Sequence, residues 1–216
     1  MFELVLGNKN YSTWSLRPWL LLKHFNIPFH EHHVSLNAED LSLELSKFSP
    51  SCKVPVLIDD HIHVWDSLAI CEYVNEFYLE NQAWPNDKSK NAHARGVANE
   101  MHSSFGALRQ EMPMNIRAKR IVQASEACNK DIARIDAIWS ECVNQYNGPW
   151  LFGQYSIADC MFAPVVMRFA TYGVELSNSA RRYYDNVLED AHLKQWIDAA
   201  NAETEIVMVD EAGVEA

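Results

Sequence analysis

Over residues 1–80 the apolar positions change period repeatedly, from the two-residue alternation of strands to the wider spacing of helices. Residues 2–6 read as a strand, and Gly7-Asn8-Lys9-Asn10 as the polar turn that ends it. Residues 14–25 place Leu16, Trp19, Leu20, Leu22 and Phe25 at mostly helical spacing, with Pro18 early enough to be tolerated. Asn26-Ile27-Pro28 ends that helix. Residues 29–34 alternate as a second strand, which a crossover makes parallel to the first. A short amphipathic helix follows over 41–48. Strands over 54–58 and 61–64 form a hairpin around Asp59-Asp60, and 67–79 is a closing helix. The order β-α-β-α-β-β-α predicts helices layered on a mixed four-stranded sheet.

The pattern then changes character. Residues 81–90, rich in Asn, Asp, Lys and Ser around Trp84-Pro85, read as a linker. Beyond it the periodicity is helical: long amphipathic helices over 91–112 and 121–146, a buried one over 157–171, shorter ones over 180–187 and 193–200. Ser156 lies three residues before Asp159, the spacing of a capping box, whose role is folding rather than chemistry. Residues 203–216 are acidic and mostly small, and read as a mobile tail. The expectation is α/β plus all-α: a thioredoxin-like domain over 1–80 and a helical bundle domain over 91–216.

Composition narrows the function. With 48% hydrophobic and 22% charged residues in 216, the chain has the material for an ordinary folded core. A formal charge of −11 argues against nucleic acid or an anionic membrane as partner, since both require clustered Lys and Arg. The acidic N-terminus is unlike a secretory signal, and no apolar run reaches membrane-spanning length, so a cytoplasmic protein is expected. Five cysteines without a Cys-x-x-Cys pair suggest reduced, mostly buried thiols. Among nine histidines, His30 and His32 share one strand face and His61 and His63 another, but strand ends and hairpins commonly expose histidines, and no metal is expected.

The candidate chemistry sits in residues 51–67. Pro55 cannot donate to a ladder and holds Val54 extended, so the proline belongs at a strand entrance with the Val54 backbone open to an extended peptide. Asp66-Ser67 stands at the next helix start, where a hydroxyl caps and free N–H groups attract a carboxylate. With Tyr11-Ser12-Thr13-Trp14-Ser15-Leu16-Arg17 upstream, the segment resembles the glutathione-binding domain of the cytosolic glutathione transferases, and the likeness spans nearly the whole chain. That resemblance implies a cis Pro55, Val54 pairing with the cysteinyl backbone of glutathione, and Asp66-Ser67 in place of the family's Glu-Ser dipeptide holding the γ-glutamyl group. The Ser156–Asp159 pair resembles the family's helix-capping motif.

A thiol of pKa about 8.5 is only a few per cent thiolate at neutral pH. Lowering that pKa by about two units takes roughly 2.7 kcal/mol, within reach of a hydroxyl donating to the sulfur beside a helix N-terminus. Ser12 is the expected activating donor, with Tyr11, Thr13, Ser15 and Arg17 as competitors and a plain N-cap as the alternative for Ser12. The resemblance further implies glutathione contacts from Lys53, Asn37 and Leu41. It places the acceptor substrate against Trp14 and the helical stripe Met101, Ser104, Phe105, Leu108 and Met112, although such a stripe is more often core or dimer interface. The activity implied is attack of the glutathione thiol on a hydrophobic or electrophilic small molecule by a serine-type member, zeta- or theta-like, that works as a homodimer. A glutathione-dependent peroxidase or isomerase is the alternative. The loop lacks the Cys of disulfide-exchanging members and the Ser-Ser-Cys signature of the zeta isomerases. A transferase-like scaffold without chemistry is the third reading.

Overall fold

The computed structural model describes all residues, 1–216. Strands β1 (Phe2–Leu6), β2 (Phe29–His33), β3 (Val56–Asp59) and β4 (Ile62–Trp65) form one sheet in the order β2-β1-β3-β4. β2 runs parallel to β1, β3 and β4 antiparallel to their neighbours. Helix α1 (Thr13–His24) makes the β1-to-β2 crossover, α2 (Leu41–Leu45) leads into β3, and α3 (Ser67–Tyr78) follows the hairpin. Alternation decides the two faces: Leu4, Leu6 and Leu57 point into the main core with Leu16, Trp19 and Leu20 of α1, while Val5 and Val56 meet Val34 and Leu45 on the other side. The predicted order of elements is the observed one, with boundaries shifted by at most three residues.

The helices α4 (Lys88–Ser103), α5 (Gly106–Glu111), α6 (Glu126–Tyr146), α7 (Ile157–Tyr172), α8 (Asn178–Leu188) and α9 (Ala191–Ala202) complete the chain. Helix α7 is the axis of this layer, buried over nearly its full length and packed on both α1 and α4. Its start is fixed by Asp159, whose carboxylate accepts the Ser156 N–H at 2.9 Å, the Ser156 hydroxyl at 3.0 Å and the Leu151 N–H at 3.1 Å. The linker is less loose than its composition suggests. Trp84 is buried and donates its indole N–H to Glu72 at 3.0 Å, and the Ala83 carbonyl accepts from Ile157 at the head of α7.

Three expectations fail here. The helix expected over 91–112 is two helices, because Ser104 is extended and Phe105 adopts the left-handed conformation at φ 64°. The break is held by Arg109, which donates to the carbonyls of Met101, His102 and Ser104, capping the end of α4. The helix expected over 121–146 begins at Glu126, with Ser125 as its cap. Residues Arg120–Ile121 instead form β5, paired antiparallel with β6 (Val214–Glu215). Gly213, at φ 77°, makes this ribbon possible, since a Cβ there would stand 2.5 Å from the Ile121 carbonyl oxygen.

The third correction concerns the tail. Residues 203–216 are bound, not mobile: they return to the loop between β1 and α1. The Glu203 carboxylate accepts the N–H groups of Lys9 at 2.7 Å and Asn10 at 3.0 Å, and Glu205 accepts from the Asn8 amide at 2.6 Å. Glu211 accepts from the Tyr11 hydroxyl at 2.7 Å and pairs with Arg120. Acidic residues that would be solvated in isolation become acceptors for a loop full of unpaired N–H groups.

Candidate functional site

The peptide bond from Val54 to Pro55 is cis. Pro55 is buried, Val54 half-buried, and β3 starts only at Val56, so Val54 lies just ahead of the sheet ladder. Neither its N–H nor its carbonyl has a hydrogen-bond partner within the chain. Across a short gap stands Asp66 at φ 75°, and its Oδ1 accepts the N–H groups of Leu68 at 3.0 Å and Ala69 at 3.1 Å. Asp66 therefore caps α3, correcting the expectation that the Ser67 hydroxyl does so. Ser67 is buried, and its Oγ accepts from Arg17 Nη1 at 3.3 Å.

Two cavities meet along this edge. One, of about 300 Å³, is lined by Ser51, Lys53, Val54, Pro55, Trp65, Asp66, Ser67 and His102 with Trp14. The other, of about 400 Å³, has Ser12, Thr13, Leu36, Leu41, Cys52 and Met114 among its walls. Trp14, Lys53 and Val54 line both, so the two form one bent cleft that passes from the head of α3 to the head of α1.

The competing hydroxyls separate cleanly. Ser12 is the N-cap of α1; its Oγ accepts the Ser15 N–H at 3.4 Å and its hydroxyl donates to Ser15 Oγ at 2.7 Å. Ser15 Oγ also accepts the Gly7 N–H at 3.2 Å, and Ser15 is fully buried and lines neither cavity. The Tyr11 hydroxyl is held between Glu211 and Arg117, and burial together with Glu211 pushes its pKa up, away from thiol chemistry. Tyr11, Ser12 and Thr13 all line the larger cavity; with the Tyr11 hydroxyl engaged by Glu211 and Arg117, Ser12 and Thr13 remain as donors, and Ser12 is the one on the helix cap.

Several predicted positions lie elsewhere. Met101, Phe105, Leu108 and Met112 line neither cavity, because α4 and α5 both turn that side into the main core; Ser104 is exposed. The Asn37 amide donates to the Ile206 carbonyl and also lies off the cleft, whereas Leu41 is on its wall. The wall expected from the Met101 stripe is supplied instead by Arg109, Met114, Arg168 and Asp210. Arg168 carried a legible signal, the one basic residue inside the apolar run of α7. His102 was also missed; its Nε2 meets Asp66 at 3.2 Å and its ring stands edge-on to Trp14 at 5.5 Å.

The cleft is strongly basic for a chain of this charge. Arg17 is completely buried, with its guanidinium 4.3 Å from the centre of the Trp14 ring, and that of Arg109 lies 5.0 Å from it. Burial, with Arg109 and Arg168 nearby, pulls the Arg17 pKa down to about 9; burial and Arg109 bring Arg168 to about 10. Burial likewise lowers His102. His32 pairs with Glu3 and the His63 ring with the Phe48 carbonyl, and no three His, Cys, Asp or Glu side chains converge as metal ligands. No helix is long and apolar enough to cross a membrane.

Family models for the N-terminal and C-terminal domains of glutathione S-transferases match residues 11–76 and 91–199. The chain is 25% identical over 172 residues to the probable maleylacetoacetate isomerase of Caenorhabditis elegans, covering 76% of this chain and 77% of that one. It is 26% identical over 205 residues to glutathione S-transferase 1 of Dianthus caryophyllus, covering 93% and 90%. A glutathione transferase homolog from Burkholderia GL BGR1, solved with bound glutathione, superposes with a TM-score of 0.73 at 21% identity over 94% of this chain and 99% of the other. With both domain models matched in chain order over most of its length, the protein belongs to the glutathione S-transferase family.

Proposed function

We propose that the cleft binds glutathione and activates its thiol for attack on an electrophilic small molecule. The division of labour is 1–80 for glutathione, 81–90 as the connection, its last three residues already in α4, and 91–216 for the acceptor. The observation that carries the reading is the unpaired Val54 backbone beside cis Pro55, set between the Asp66–Ser67 helix head and the Ser12 hydroxyl. An extended tripeptide would pair with Val54, place its γ-glutamyl carboxylate at Ser67 above Arg17, and leave its sulfur facing Ser12. Lys53, on both cavities, and Leu41 attend the glycyl end.

Ser12 is the activating residue and Ser15 its positioning residue. With a thiolate as acceptor, the Ser12 proton turns to sulfur and the Ser15 hydroxyl donates in its place to Ser12 Oγ, while the Gly7 N–H holds Ser15. Glutathione binding followed by calorimetry, and conjugation of 1-chloro-2,4-dinitrobenzene, test the reading. Expected are saturable binding at or below millimolar concentration and thiolate absorbance appearing below the free thiol's pKa of about 8.5. No binding at millimolar glutathione refutes it.

Exposed Ile62, Phe77 and Tyr78 on β4 and α3 suit a homodimer in which this side meets a second copy. All five cysteines are free thiols, in keeping with a cytoplasmic setting. The likeness to the Caenorhabditis elegans protein favours glutathione-dependent isomerisation as the second reading, distinguished by whether a glutathione adduct accumulates.

A further inference from the structure

Beyond Ser12 the larger cavity is walled by two arginines that no carboxylate meets within ion-pair distance, Asp131 near Arg109 and Asp210 near Arg168 compensating them only from farther off. Arg95, Arg120, Arg134 and Arg181 each hold a carboxylate within ion-pair distance. Arg109 and Arg168 do not. Arg168 is 6% exposed, and only its Nη1 is engaged, donating to the carbonyls of Arg109 at 3.2 Å and Met112. Its Nε and Nη2 have no partner although the residue lines the cavity. Arg109 commits Nε and Nη2 to the end of α4 and leaves Nη1 open. Asp210 shares the wall but stands outside ion-pair distance of either guanidinium. Buried cations are ordinarily matched by an anion. Met114 and Leu36 supply an apolar surface in the same cavity.

We infer that the acceptor is a carboxylate-bearing electrophile, its carboxylate seated on the open guanidinium edges of Arg168 and Arg109 and its apolar body on Met114 and Leu36. This rests on the transferase reading of the same cleft. It does not follow from that reading, because a neutral electrophile would leave both cations unpaired. Arg17 is a separate case: it lies under Ser67, at the end of the cleft assigned to glutathione.

The test uses the whole protein, saturating glutathione and a matched pair of acceptors, 4-chloro-3,5-dinitrobenzoate and its methyl ester, each rate divided by that of the uncatalysed reaction with glutathione. Charge-assisted hydrogen bonds of the usual strength predict a kcat/KM at least about tenfold higher for the acid. In Arg109→Gln and Arg168→Lys the acid-to-ester ratio falls at least about fivefold through the KM of the acid, with the KM of glutathione within about twofold. The acid-to-ester ratio of the wild type needs no variant, and so decides the test should the buried Arg168, or Arg109 with its bonds to the end of α4, tolerate no change. Wild-type protein that binds glutathione but turns over the ester as well as the acid overturns the inference and leaves the transferase reading intact. A rise in the KM of glutathione in place of that of the acid assigns the arginines to glutathione and also overturns it. Failure to bind glutathione or to turn over either compound overturns both.

Discussion

Replacing Glu203 by Ala removes a carboxylate that accepts two successive main-chain N–H groups, at 2.7 and 3.0 Å, from a loop that is almost wholly buried. Hydrogen bonds to a charged group contribute about 1.5–3 kcal/mol each. Glu203 itself is partly exposed, so water can enter the space left behind and the lower part of that range applies. A loss of about 3 kcal/mol is expected, which for a chain of this size lowers Tm by roughly 6–12 °C. Glu203→Gln keeps one acceptor oxygen and can satisfy one N–H, so its loss is about half. Urea melts of the wild type and both variants measure this, and hydrogen exchange at Lys9 and Asn10 shows whether the loop opens first. An exposed control, Glu189→Ala, removes only a surface pair with Lys194 and shifts stability by no more than about 0.5 kcal/mol. Should Glu203→Ala match that control, or the Gln and Ala variants prove equal, the account of the tail as a clamp is wrong.

Two further outcomes follow from the hydrogen-bond geometry. Ser12→Ala lowers kcat/KM about 10- to 100-fold and returns the thiol of bound glutathione toward its free pKa of about 8.5, with glutathione affinity little changed; Ser15→Ala gives a smaller shift in the same direction. An unchanged pH–rate profile in Ser12→Ala moves the assignment to Thr13. Asp159 is fully buried, and burial raises its carboxyl to about 6 despite the donors from Leu151 and Ser156. A raised carboxyl pKa stabilises the fold below the unfolded value of about 3.9, and that stabilisation is lost as pH rises through about 6. Melts across pH 3–7 show this component in the wild type and not in Asp159→Asn, and parallel curves for the two proteins contradict it.

The elements of the sheet layer were legible because each carries its own period, and Val54-Pro55 with Asp66-Ser67 marked the cleft through local backbone demands alone. The break in the helix after α4 was not. Met101, Phe105, Leu108 and Met112 keep helical spacing straight across it, since two short helices that bury the same side preserve the pattern. What ends α4 is a single guanidinium reaching back to its last carbonyls. The bound tail was hidden for a different reason. Glu203, Glu205 and Glu211 have the same composition whether solvated or bonded, and their partners lie almost two hundred residues earlier in the chain. Arg168 was visible as the one basic residue of an apolar helix, but its meaning depended on Arg109, which the expected straight helix pointed elsewhere.

The clamp at Lys9 and Asn10 has a bearing on synthesis. The loop that carries Ser12 is made near the start of the chain, yet the Lys9 and Asn10 N–H groups stay without their acceptor until Glu203 is made, and the Asn8 and Tyr11 side chains without theirs until Glu205 and Glu211 follow. A nascent chain that stalls short of Glu203 would leave that loop unmoored.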